Sequence, residues 1–130
     1  MTTQIELPWP PSVNTYWRAV RGRNIVSKKG RAYRQQAAEI LAHRFAGAAR
    51  PIYTGRVRLI IWAFPPDRRR RDLDNLTKVP LDCLEGYVYE NDNQVDCLTI
   101  ERCEVKRGGT LWVTASERTE TLRKFDTVPG

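Results

Sequence analysis

Two carboxylates, Asp72 and Asp74, follow directly on four consecutive arginines, Arg68, Arg69, Arg70 and Arg71. Arginines attract phosphate and carboxylates repel it, so a surface that only bound nucleic acid would gain nothing from this neighbourhood. A divalent cation on the carboxylates removes the conflict, because it turns an acidic cup into an electrophile facing a phosphodiester that the arginines hold. If Asp72-Leu73-Asp74 is extended, residues two apart share a face, with their alpha carbons about 6.5 Å apart. In a helix beyond, Asp74, Lys78 and Asp82 share a face at spacings of four. Lys78 then lies about 6 Å along the axis from Asp74, and Asp82 about 12 Å. Lys78 can reach a phosphate at the ion, whereas Asp82 is placed to orient Lys78. Magnesium takes few protein ligands, but two carboxylates are thin. A third is expected from Glu90, Asp92 or Asp96, and Asp92 is the choice.

Each residue alone has a plainer reading. Asp72 or Asp74 could be a helix N-cap, Asp82 half of a surface ion pair with Lys78, and Asn91-Asp92-Asn93 a turn. A single cap does not account for two same-face carboxylates, a lysine on that face and four adjoining arginines.

The rest of the composition agrees with a nucleic-acid partner. Lys and Arg total 22 against 15 Asp and Glu, giving a formal charge of +7. Seventeen of the 22 are arginine, the side chain that pairs bidentately with phosphate and stacks on bases. The competing reading of the charge is a solvated basic face. Cys83, Cys97 and Cys103 are odd in number without CxxC spacing, which argues against a disulfide framework or zinc site. No signal-like N-terminus and no membrane-length apolar run is present, so a cytoplasmic protein is expected. His43, the lone histidine, is read as structural.

The elements that must position these residues suggest one α+β domain over residues 1–116 and a polar, frayed tail over 117–130. The expected order is β, a short β, α, β, α, β, β, a mixed sheet with two main helices packed on it. Gln4 to Leu7 reads as a strand, Pro8 to Arg23 as a loose arm, and Asn24 to Ser27 as a small strand. Tyr33, Ala37, Ile40, Leu41, Phe45 and Ala48 fall at helical spacing within Arg31 to Ala48. Arg56 to Phe64 alternates with apolar residues on both faces, as a central strand does. A helix from about Asp74 to Leu84 follows, in which Pro80 must kink the helix or delay its start. Val95 to Lys106 and Thr110 to Ser116 read as a hairpin around Gly108-Gly109.

The ordered set of motifs resembles the RusA family of Holliday junction resolvases. The matching residues are Asp72-Leu73-Asp74-Asn75-Leu76-Thr77-Lys78, then Asp82-Cys83-Leu84, Gly86, and Glu90-Asn91-Asp92-Asn93-Gln94-Val95. Leu7-Pro8-Trp9-Pro10-Pro11-Ser12-Val13-Asn14, with Trp17-Arg18 after it, is similar to that family's PPSxN element. The resemblance spans about residues 4 to 116. It implies a homodimeric, magnesium-dependent endonuclease (manganese an alternative) that cuts opposed strands of a four-way DNA junction, with no organic cofactor. It further implies metal ligation by Asp72, Asp74 and Asp92, catalysis by Lys78, and backbone positioning by Arg71 and Asn75. Where the family often carries paired carboxylates, this chain has Asn91 before Asp92. The setting could be chromosomal or a prophage.

In the arm, Trp9, Tyr16 and Trp17 interleave with Arg18, Arg21 and Arg23. They could stack on unpaired bases and track phosphates, Asn14 among them, or the aromatics could simply pack on the sheet. A non-catalytic basic nucleic-acid-binding protein is the rival function.

Overall fold

The computed structural model describes residues 1–129. Its organising element is β4 (Val57–Phe64). Val57, Leu59, Ile61 and Ala63 are fully buried on one face. Arg58, Ile60, Trp62 and Phe64 are half-buried on the other. A strand patterned this way needs a neighbour at each edge. β6 (Thr110–Glu117) pairs with it antiparallel and β5 (Val95–Arg102) parallel. β1 (Thr2–Pro8) adds antiparallel to β6, so the sheet order is β1-β6-β4-β5. The α+β class and mixed sheet are as expected.

The expected hairpin of the last two strands is not formed. β5 and β6 are separated by β4, which inserts between them. Gly108 and Gly109 do take positive φ, 85° and 71°, and turn the chain. A turn signal cannot say whether a strand from earlier in the chain comes between its two arms. The consequence for function is direct. Parallel β4 and β5 require a crossover, and residues 65–94 provide it. All the candidate carboxylates before β5, and Lys78, lie on that crossover.

The crossover begins with a 3-10 turn, Leu73–Leu76, followed by α3 (Lys78–Leu84). The helix therefore starts later than Asp74. Pro80 sits in its first turn, where its missing N–H breaks no helical bond. Leu76, Val79 and Leu84 are buried against the sheet. Burying such side chains stabilises by about 1.5–3 kcal/mol each, which fixes the carboxylate-bearing face outward.

The N-terminal arm is more ordered than expected. Ser12 caps a single turn, α1 (Val13–Tyr16), and β2 (Trp17–Val20) pairs with β3 (Arg23–Val26) as an antiparallel ribbon. The two-residue turn Arg21-Gly22 has φ of 50° and 75°, the left-handed pair that tight hairpins use. α2 (Lys28–Arg44) starts three residues earlier and ends four earlier than its apolar spacing suggested. The Ser27 hydroxyl accepts the Gly30 N–H at 3.0 Å and sets that start. A Cβ on Gly30 would stand 2.7 Å from the Tyr16 carbonyl oxygen, so only glycine lets α2 meet α1. Tyr33, Ala37 and Leu41 bury the inner face of α2, and the Tyr33 hydroxyl donates to the Pro8 carbonyl at 2.7 Å. Beyond β6, among the described residues, the tail carries a single 3-10 turn, Phe125–Thr127.

Candidate active site

At the end of the sheet where β1 and β4 finish, Arg69, Arg70 and Arg71 line a cleft of about 780 Å³ with Trp9, Pro10, Ser12, Asp72 and Asn75. Arg68, Arg69 and Arg70 are exposed. Arg71 is different. Its Nη1 donates to Asp67 Oδ1 at 2.7 Å, its guanidinium lies 5.7 Å from the Trp9 ring centre, and its carbonyl accepts Arg102 Nη2 at 2.6 Å. Arg71 thus ties the loop to itself and to β5, Arg69 makes only a long ion pair to Asp67 at 3.8 Å, and the Arg68 and Arg70 guanidiniums are left open. The Arg71 bond, with the Arg69 N–H, holds the Asp67 carboxyl down at about 2. A carboxylate depressed in the folded state supports the loop above its ordinary range, and that support is lost as pH falls from about 4 towards 2.

The open arginines give the first prediction. Arg69→Ala with Arg70→Ala is expected to weaken DNA binding and flatten its salt dependence. Each lost phosphate contact should remove about 0.9 from the slope of log affinity against log salt. The melting temperature should stay put, since neither guanidinium holds the loop as Arg71 does. An unchanged slope in a titration from low to moderate salt would take the run off the DNA.

Asp72 is extended (φ −90°, ψ 135°) at the entry to the 3-10 turn and makes no side-chain cap bond. Asp74 is exposed in the same turn, and only its carbonyl is used, accepting the Thr77 hydroxyl at 2.9 Å. Among the described residues neither carboxylate accepts a hydrogen bond or pairs with a cation. The capping alternative is therefore not what these residues do. Leu73 and Leu76 between them pack on the core and hold the pair outward.

A second acidic group lies at the far end of α3. One carboxylate oxygen from each of Asp82, Glu85 and Asp92 falls within 4.8 Å of the other two. Lys78 Nζ reaches Asp82 at 3.4 Å, one turn along the helix. Glu85 Oε1 accepts the Asp92 N–H at 3.1 Å. Gln94 fixes the Asp92 loop from below. Its Oε1 accepts the N–H groups of Glu90 and Asn91, and its Nε2 donates to the carbonyls of Tyr53 and Gly55 at 3.1 and 2.8 Å. Asn91 caps the short turn Asp92–Gln94. Asp92 is thus brought to Asp82 and Glu85. Among the described residues no trio of this spacing includes Asp72 or Asp74. Of the other third-ligand candidates, Asp96 is taken by Arg56 and Arg118, and Glu90 is exposed. Glu85 is the residue that sequence reasoning missed. It stands three after Asp82, a spacing that shares a helix face, and it precedes Gly86, where the chain turns back.

The remaining candidates divide. Asn14, Arg18, Arg21 and Arg23 are exposed, the last three on the β2–β3 ribbon, and Asn75 is exposed in the cleft. Tyr16 is fully buried, with Trp17 packed edge-on at 5.1 Å, so the arm's aromatics serve packing at Tyr16 and are partly open at Trp9 and Trp17. His43 is exposed in the last turn of α2. All three cysteines are free and half-buried, and burial pushes Cys83 up to about 11. No thiol is poised as a nucleophile or metal ligand.

A basic α+β domain whose strand crossover presents open arginines and unpartnered carboxylates defines a class directed at phosphate. Comparison with known proteins makes this specific. The family described as Endodeoxyribonuclease RusA matches residues 8–114, and the chain belongs to that family. It is 42% identical over 119 residues to the "Crossover junction endodeoxyribonuclease RusA" of Escherichia coli (strain K12), covering 89% of this chain and 95% of the relative. The protein of the same name from Enterobacteria phage 82 is 41% identical over 119 residues, with the same coverage. That of Shigella sonnei (strain Ss046) is 40% identical over 119 residues, again covering 89% and 95%.

Proposed function

We propose that this protein is a metal-dependent endodeoxyribonuclease that resolves four-way crossover junctions by paired phosphodiester hydrolysis. The observation that carries the reading is the open arginine run set against two carboxylates that bond to nothing else, in a chain of the RusA family. A purely binding protein would leave those two carboxylates facing its own ligand.

Arg68, Arg69 and Arg70 draw in the phosphate backbone, and Asn75 lines the cleft beside them. Asp72 and Asp74 would hold a divalent cation, magnesium or manganese, with Asp92 as third ligand. Such an ion would supply Lewis acidity and make an attacking water more acidic. Lys78 adds positive charge beside the reacting phosphate, where charge accumulates in the transition state. Asp82 holds Lys78 in place until DNA arrives. The exposed arginines of the β2–β3 ribbon extend the basic surface beyond the cleft. The near two-fold symmetry of a junction calls for two copies acting together, and DNA as substrate puts the work in the cytoplasm. Among the described residues no helix is long and apolar enough to cross a membrane.

One observation favours a second arrangement of ligands. Oxygens around an octahedral magnesium with bonds near 2.1 Å lie about 3.0–4.2 Å apart. The trio Asp82, Glu85 and Asp92, within 4.8 Å, comes close to that spacing as it stands. Asp92 is common to both arrangements.

The deciding experiment is cleavage of a synthetic four-way junction and of linear duplex of the same sequence, with and without Mg²⁺. Symmetric nicks in opposed strands of the junction, absent with chelator and weak on duplex, are expected. Tight junction binding without any cleavage in Mg²⁺ or Mn²⁺ would leave a binding protein instead.

A further inference from the structure

The Asp72 side chain bonds to nothing among the described residues, so its place is set by the backbone that carries it. That backbone is loosely tied. The Pro65 carbonyl accepts the Lys106 N–H at 2.9 Å, and the 3-10 turn begins only at Leu73. Between these anchors, residues 66–71 make no backbone–backbone hydrogen bond among the described residues. The Asp67 carboxylate accepts the Arg69 N–H, and the Arg71 guanidinium reaches the carbonyls of Asp67 and Arg69. Those bonds are internal, and they curl the loop without fixing it to the sheet. Trp9 meets the Arg71 guanidinium, not its backbone. Among the described residues, one hydrogen bond to the loop backbone comes from outside the loop, from Arg102 Nη2 to the Arg71 carbonyl at 2.6 Å.

We infer that Arg102 is a positioning residue for Asp72, a role that rests on the reading of Asp72 as a metal ligand. A peptide group is planar from one alpha carbon to the next. A donor seated on the Arg71 carbonyl therefore also fixes the Asp72 nitrogen and alpha carbon. The donor stands on rigid structure. Arg102 is the last residue of β5 and pairs with Ala63 of the central strand, and the next N–H, that of Cys103, donates to the Ala63 carbonyl at 2.8 Å. The brace runs from the central strand through Arg102 to the residue before Asp72.

Charge makes the residue type informative. A fifth guanidinium beside four others is repelled by them, and Arg102 has no carboxylate to offset this among the described residues. Its one bond there is to the Arg71 carbonyl. A hydrogen bond from a charged donor is about twice as strong as a neutral one, and the planar fork loses little freedom in making it. The loop needs such a tie. Four like charges in sequence favour a spread conformation, whereas a metal ligand has to stand within about 0.5 Å of its working place.

The first measurement uses the full chain and no DNA. Arg102→Met keeps the stem and removes the donors. By charge alone, taking a cation from beside an acidic cup should tighten a divalent ion, whereas losing the brace should weaken it. Mn²⁺ binding, followed by the paramagnetic resonance signal of the free ion, should give a dissociation constant about tenfold above wild type, as loss of a partner behind a metal ligand does. The melting temperature without metal should stay put, because Arg102 is exposed. With protein saturating a four-way junction in Mg²⁺, the single-turnover cleavage rate should fall about tenfold or more, which weaker DNA binding cannot produce. Arg102→Lys keeps the charge, but its ammonium ends short of where Nη2 stands. It should restore junction affinity in chelator and leave Mn²⁺ binding weak. Asp72→Asn, measured beside them, tells two failures apart. If Asp72→Asn weakens Mn²⁺ binding and Arg102→Met leaves it unchanged or tighter, the brace is overturned and the reading of Asp72 stands. If neither substitution moves it, the ligand reading falls and Arg102 loses its role with it.

Discussion

Asp72→Asn and Asp74→Asn are each expected to lower junction cleavage by about a thousandfold or more, some 4 kcal/mol of transition-state stabilisation, while leaving the fold and the binding intact. The contrast follows from what these side chains touch. Neither accepts a hydrogen bond or pairs with a cation among the described residues, and Asp72 makes no cap. Substitution at such exposed sites shifts stability by about 0.5 kcal/mol at most. A structural role would instead appear as a lower melting temperature. Asparagine keeps the shape and removes one negative charge, so phosphate repulsion falls and binding should hold or tighten. The measurements are single-turnover cleavage in Mg²⁺, junction affinity in chelator, and a thermal melt. Binding lost in step with cleavage, in a folded variant, would make these residues phosphate-side scaffolding. Cleavage retained in both variants would remove the pair from the metal.

The pair was legible because its signal is local. Two carboxylates separated by one residue and adjoining four arginines can be read without knowing any tertiary contact. α2 was legible for the same reason, since Tyr33, Ala37 and Leu41 repeat at the helical period and all three are buried. Its start lies three residues before the expected Arg31 because the Ser27 cap, not the first apolar position, sets it. β3 was legible as the small strand expected at Asn24 to Ser27, but β2 was missed because the turn between them puts Arg21 at a φ of 50°, a position where Asn or Asp is the usual sign. The β5–β6 hairpin failed for a different cause. The expected strand Arg56 to Phe64 has apolar residues on both faces, which describes a central strand, but its neighbours are chosen by long-range packing. The grouping of Asp82, Glu85 and Asp92 is of that kind. It exists because Tyr53 and Gly55, ahead of β4, receive Gln94 and so seat the Asp92 loop against the end of α3.

That grouping sets up the experiment with the second large effect. Three carboxylates within 4.8 Å repel one another, so a cation that settles among them should stabilise the fold. At ten times its dissociation constant, Mg²⁺ adds about 1.4 kcal/mol, a readable rise in melting temperature. Asp92→Asn is expected to abolish this rise and to lower cleavage by about a thousandfold, because Asp92 belongs to both arrangements of ligands. Glu85→Gln separates them. Glutamine retains an oxygen to accept the Asp92 N–H, so the loop stays where Glu85 holds it now, and only the charge is lost. If Asp72 and Asp74 hold the catalytic ion, Glu85→Gln should cleave within a fewfold of the wild type. If the trio holds it, Glu85→Gln should fail as badly as Asp92→Asn, and the Mg²⁺-dependent rise should vanish with it. An Asp92→Asn variant that keeps both the rise and the cleavage would exclude Asp92 from either site, and Lys78 with Asp82 would then be an ordinary helical ion pair at the end of the crossover.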